Sequence, residues 1–250
     1  TGSISIGNSH VAMSVDHLIV NGVSTRIQTA NGSIFIDSTI AAHGNLLVSA
    51  GGSNSDLTLL SAIDGDPGVN LTLNSGHLTT INADVKARGT GTITIGAVPT
   101  ISIGSGFTVS TQDHSISLTA DGMSLSGMVN AGAGTVTIKQ ATTGTAINLG
   151  TPSVLGSLGL STSDLNDITA GRLIIGDANS GPITVVTDIA PVGVSTLHLN
   201  SGSSVTATAG GIAVQNLAVT AIGNVTFTSG TSAVLNLGVA SNGSVSFTQL

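Results

Sequence analysis

The side chains able to do acid–base or ligand chemistry in this 250-residue chain are few: 12 aspartates, 6 histidines and 5 lysines or arginines, with no cysteine, tyrosine or glutamate. The densest carboxylate turn is Asp64-Gly65-Asp66-Pro67-Gly68, with Asn70 close behind. Two carboxylates at i and i+2 in a Gly/Pro turn suit a hard cation such as Ca²⁺. A helix-pair calcium loop needs a distal Glu, however, and the Gly-rich calcium nonapeptide is absent. The turn therefore reads as a solvated one in which Asp caps its own backbone.

Asp84, Lys86 and Arg88 alternate along one segment, so on a strand they share a face. Such a trio fits the cleft of a polysaccharide-degrading β-helix, which needs acid–base carboxylates and cations facing its substrate. It fits an exposed, salt-bridged strand equally well. The histidines (His10, His17, His43, His77, His114, His198) stand one at a time, without a second His at metal-ligating spacing. Surface or corner roles are expected for them. Gly156-Ser157-Leu158-Gly159 has the wrong spacing for a nucleophile elbow. No catalytic, cofactor or metal residue is assigned, and no cofactor is expected.

The elements that must carry these side chains announce themselves by repetition. A Gly or turn residue followed by Ser or Thr alternating with Ile, Val or Phe recurs at Gly2–Ile6, Gly32–Ile36, Gly91–Ile95, Gly134–Ile138 and Gly243–Phe247. Alternation with period two predicts a strand with one buried face. Val205, Val225 and Val245 fall 20 residues apart, and Leu71, Ile93, Ile116 and Val136 are separated by 22, 23 and 20. A strand returning about every 20 residues, with secondary phrases such as Gly44–Val48 and Gly106–Val109 between, predicts a stacked solenoid. Asn-Gly and Gly-Asn corners, as at Asn31-Gly32 and Gly223-Asn224, tolerate positive φ. The competing reading is an antiparallel sandwich or barrel, for which Asn-Gly is a hairpin signal.

Composition narrows the function classes. Hydrophobic residues make up 40% but aromatics only 2%, so the core must be built from Val, Ile, Leu and Ala. Charged residues are 7% and the net charge is −7, which disfavours nucleic acid because phosphate binding needs clustered cations. Mean hydropathy is +0.47 without an apolar run long enough to cross a bilayer as a helix; a transmembrane barrel, which also alternates, would carry aromatic girdles that this sequence lacks, so no membrane insertion is expected. Without Tyr or Trp, stacking of sugars or bases on aromatic faces falls to four Phe. Thr pairs such as Thr92/Thr94, Thr135/Thr137, Thr206/Thr208 and Thr226/Thr228 raise a third class, a flat ice-binding face, although Ser replaces Thr in many rungs.

Residues 139–172 break the rhythm. Ser161–Gly171 reads as one or two helical turns, with Ser161 or Ser163 as N-cap and Asp164 and Asp167 near the positive end. Gly171 would terminate it, and Leu165 and Ile168, three apart, would plug into the solenoid. The run Leu158–Asp177, continuing through Ser180–Val185, resembles a recurrent element of filamentous-haemagglutinin-like bacterial surface proteins. That resemblance implies an exported right-handed parallel β-helix, often a two-partner-secretion passenger, acting as an adhesin or surface fibre.

The expected fold is all-β: a right-handed parallel β-helix (β-solenoid) of about 20-residue rungs, a single segment over 1–250 with one short helical insertion near 161–171. Roughly a dozen rungs spaced by about 4.8 Å would give a rod of about 55–60 Å. Both ends read as mid-array cuts without polar caps. The expected role is a non-catalytic extracellular shaft or filament segment at the bacterial cell surface. Its expected partners are copies of itself, end to end or laterally, and a host or cell-surface receptor. A polysaccharide-degrading β-helix enzyme and an ice-binding solenoid are the alternatives.

Overall fold

In a computed structural model, residues 3–8, 12–15, 19–20 and 23–248 are described, with burial given for 12–15 and 23–248. The chain is a parallel β-solenoid of about 10 turns with rungs of about 22 residues. All ladders between named strands are parallel, which excludes the sandwich. The first face runs from Ser24–Thr29 through Asn45–Ala50, Leu71–Ser75, Ile93–Gly96 and Ile116–Thr119 to Thr135–Lys139. Its register pairs Leu71 with Ile93, Ile93 with Ile116 and Ile116 with Val136, the equivalences read from spacing. A second face carries short strands such as Leu57–Leu59, Leu78–Ile81, Thr100–Ile103 and Gly122–Leu125. A third carries Ile40–Ala42, Ile63–Pro67, Val85–Arg88, Thr108–Ser110 and Met128–Asn130.

The insertion changes the cross-section. Ile168–Ile175 pairs at its start with Met128–Asn130 of the third face and at its end with Thr135–Lys139 of the first. From there the two faces fuse into the long strands Val194–Ser201, Ala213–Ala221 and Ala233–Ser241. Each later rung has one long strand and one short strand on the second face: Ile183–Val185, Val205–Ala207, Val225–Phe227 and Val245–Phe247. Val205, Val225 and Val245 stack in register, as their spacing predicted.

Inward positions form continuous columns. Ile27, Val48, Leu73, Ile95, Leu118, Ile138, Ile175, Leu199 and Val219 follow one another through the ladder, each at most 2% exposed. Branched aliphatic residues suit this interior because their restricted χ1 already matches a pleated surface. Phe227 and Phe247 continue a column as an edge-to-face pair with centroids 5.6 Å apart. The helix α1, Thr162–Asn166, sits in the insertion. Leu165 and Ile168 are buried in the core as expected, but not from one helix face: Leu165 belongs to α1 and Ile168 begins the strand Ile168–Ile175.

One column contains a mismatch. Thr25 lies in register with Leu46, which neighbours Leu71, and its buried Oγ1 has no hydrogen-bond partner. A buried hydroxyl without a partner costs on the order of 1–3 kcal/mol. Thr25→Val should therefore raise stability by about 1 kcal/mol, whereas Leu71→Thr in the same column should lower it by about 3 kcal/mol. Urea unfolding of the two variants checks both signs.

Candidate functional site

The sequence-derived candidates lie on the third face, where register spreads them apart. Asp64 and Asp66 both point outward from Ile63–Pro67 but reach opposite neighbours. Asp64 Oδ2 accepts from Arg88 at 2.7 Å on the following rung, and Asp66 Oδ2 meets His43 Nδ1 at 2.7 Å on the preceding one. Asn70 belongs to another face, where its Oδ1 accepts the Thr92 N–H at 3.0 Å. The two carboxylates therefore do not converge on a cation. Among the described residues no group of three or more His, Cys, Asp or Glu side chains is placed to hold a metal ion.

Asp84, Lys86 and Arg88 do share an outward face. Asp84 Oδ2 pairs with Lys86 at 3.0 Å, and Asp84 Oδ1 accepts the Thr108 N–H at 3.0 Å. The Lys86 ammonium holds the Asp84 carboxyl below its usual range. With Asp64 and Arg88 these groups form a ladder of half-exposed ion pairs along the rod, each worth at most about 1 kcal/mol. They line no cleft. His77 pairs with Asp56 at 2.7 Å, and His114 contributes its carbonyl to Thr111. His10 and His17 fall outside the described residues.

His198 projects from the first face between Arg172, 2.8 Å from Nδ1, and Thr220, 3.0 Å from Nε2. Burial and the Arg172 cation both depress its pKa. The Thr row of the first face is interrupted, reading Thr72, Thr94, Ser117, Thr137, Ile174, His198, Ala218, whereas Thr184, Thr206 and Thr226 stack in register on the second face before Ser246 follows.

The pocket found lies elsewhere, at the insertion, as a cleft of about 940 Å³. On the second face Ser157–Leu160 stands beside Gly122–Leu125, ahead of Ala146–Leu149, although it follows the latter in the chain. Parallel neighbours normally need a crossover of a dozen or more residues. Here residues 150–156 suffice, as a strap whose ends Gly150 and Gly156 both take φ +86°. Gly150 also donates to the Leu160 carbonyl at 2.8 Å. The strap lies over Gly159, where an added Cβ would come within 2.3 Å of the Pro152 backbone.

Side chains complete the seam between Gly122–Leu125 and Ser157–Leu160. Ser153 Oγ accepts the Met123 N–H at 2.9 Å and the Gly159 N–H at 3.0 Å, and donates toward the Gly159 carbonyl at 2.9 Å. Asp164 Oδ1 accepts the Leu125 N–H at 2.7 Å. Its Oδ2 accepts the N-cap Ser161 N–H at 2.8 Å, while the Ser161 hydroxyl caps the Asp164 N–H.

Ser161 is thus the N-cap, one of the two expected, but other expectations for this stretch are corrected. Asp167 is the C-cap rather than a first-turn residue, because the helix closes after Asn166. Gly171 does not end the helix: it lies inside Ile168–Ile175, where a Cβ would meet the Ala133 carbonyl at 2.2 Å.

Across the cleft, Asp121 accepts the Ala141 and Thr142 N–H groups at 3.0 and 2.8 Å and the Thr142 hydroxyl. Asp167, part-buried, takes no side-chain partner among the described residues. Val154 and Leu155 form an apolar rim, 62% and 106% exposed. No Lys, Arg or His lines the cleft. Sequence reasoning located the break in rhythm but missed this site, since only Asp121, Thr142 and the strap glycines hinted at it.

Two outcomes follow. Ser153→Ala leaves the Met123 and Gly159 N–H groups without their acceptor, so stability should fall by about 1–3 kcal/mol. Hydrogen exchange at those two amides should accelerate. The second concerns acid. Because the folded chain holds His198 below its ordinary value, the unfolded chain takes up that proton first, and stability is lost as pH falls below the ordinary histidine value of about 6.5. The melting temperature should drop between pH 7 and 5, and His198→Gln should remove part of that drop. Comparison with family models, curated proteins and solved structures finds no match to this chain.

Proposed function

We propose that this chain is a structural shaft segment of an extracellular bacterial surface fibre of the filamentous-haemagglutinin-like kind, without catalysis of its own. The continuity of the inward columns and backbone ladders across about 10 turns supports this reading best. A shaft resists shear when loosening one rung means breaking its ladders to both neighbours, and solenoid stability is of that nearest-neighbour kind. The outward faces are mainly Ser, Thr, Asn and Gly, and the charged trio is spent on ion pairs. That arrangement favours a low-charge coat over a substrate cleft for acidic polysaccharide. The interrupted Thr row of the first face gives ice binding little support.

Self-association is part of the proposal. With charged residues only 7% of the chain, the outward faces would let copies of the rod lie against one another with little like-charge repulsion.

Electron microscopy of purified protein provides the test. Stiff rods or fibres with an axial repeat near ~4.8 Å are expected. Isolated particles that depolymerise a polysaccharide would overturn the shaft reading.

A further inference from the structure

We infer that the seam cleft is a binding site for an aliphatic cation: an alkylammonium or guanidinium group on an apolar stem, as carried by a basic peptide side chain or a polyamine. The volume of about 940 Å³ lies within the roughly 300–1,000 Å³ typical of ligand sites. It is walled by the strap, α1 with its cap residues, and the strand Gly122–Leu125. Its lining is one-signed. Asp121 and Asp164 accept backbone N–H bonds, the Asp167 side chain has no partner among the described residues, and no Lys, Arg or His lines the cleft. A concave site lined by one sign of charge focuses its field and concentrates the opposite sign.

Anionic ligands, acidic sugars included, are repelled by the same arrangement, and the absence of aromatics removes the usual stacking platform for neutral sugars. The rim supplies the second half of the recognition. Val154 and Leu155 offer apolar contact above the carboxylates, suited to the methylene stem of a cation whose head lies lower in the cleft. Hydroxyls of Ser124 and Thr145 line the remaining walls and can accept from an ammonium. The inference is independent of the shaft reading, since a fibre and a freely diffusing protein would carry the same cleft.

Isothermal titration with three probes tests it: spermidine, a blocked Lys-Leu-Lys peptide and trigalacturonate. Saturable one-to-one binding of spermidine or of the peptide, weakened by salt, is expected, with none for trigalacturonate. Binding of spermidine alone identifies a polyamine as the source, and binding of the peptide alone a basic protein segment. Asp167→Asn should weaken affinity about tenfold. Ser124→Leu, which fills the floor from an exposed strand position, should abolish it, and Asp37→Asn, far from the cleft, should leave it unchanged. Circular dichroism establishes that each variant is folded. The inference falls if neither cation saturates, if trigalacturonate binds as tightly, or if both cleft variants bind like the parent.

Discussion

Register between successive rungs is the constraint on which everything else depends. In a parallel solenoid a strand's backbone groups are satisfied by the rungs before and after it, not by a hairpin partner. A one-residue slip would turn every inward Ile or Leu to solvent and every outward Ser or Thr into the core. The columns through Ile95 and Leu118 or Leu197 and Leu217 are thus the same fact as the ladders, seen from the side chains. Uniform small aliphatics make each rung an acceptable template for the next. The near absence of aromatics fits this uniformity: the one buried ring among the described residues, Phe227, has Phe247 after it in register but Ala207 before it, a change of size that the aliphatic columns avoid.

The charged residues obey the same constraint. In the ladder His43–Asp66, Asp64–Arg88 and Asp84–Lys86, two pairs cross a rung boundary, where the spacing of strands holds side chains within reach. Their half-exposed position makes each worth little, so they do more for solubility and register than for stability. Burial at His198 works the other way. A neighbouring cation and partial desolvation favour its neutral form, so acid works against the ladder at that rung.

How much of this was legible follows from what a repeat can encode. The stacking of Val205, Val225 and Val245 was plain because identity and spacing coincide there. Leu71, Ile93 and Ile116 were plain because the alternation survives changes in corner length. The fusion of two faces at Ile168–Ile175 was not, since a long strand and two short strands with a tight corner have the same alternating text. Ionic partners such as Asp64 and Arg88 were also hidden, because local alternation suggested Arg88 belonged with Asp84. The cleft was least legible. Its acceptors, Ser153 and Asp164, are distant in sequence from Met123 and Leu125, and an Asp at a helical third position reads first as a capping residue. It is that, and one of its oxygens also closes the sheet seam.

A seam is the expected place for a specific site in a molecule of this type. Wherever backbone pairs with backbone, the outward surface is a shallow repeat with a single row of side chains per strand position. At the seam one rung does not pair directly with the next, which exposes N–H groups that must be taken by something else. Ser153 and Asp164 meet that requirement with a hydroxyl and a carboxylate, and the carboxylate brings charge into the gap as a consequence. Structural repair and ligand chemistry therefore have a common origin here: the group that keeps the sheet continuous also gives the cleft its sign. The same logic explains why removing Asp164 is a poor probe of binding, whereas Asp167, free of backbone duty, reports on the cleft alone.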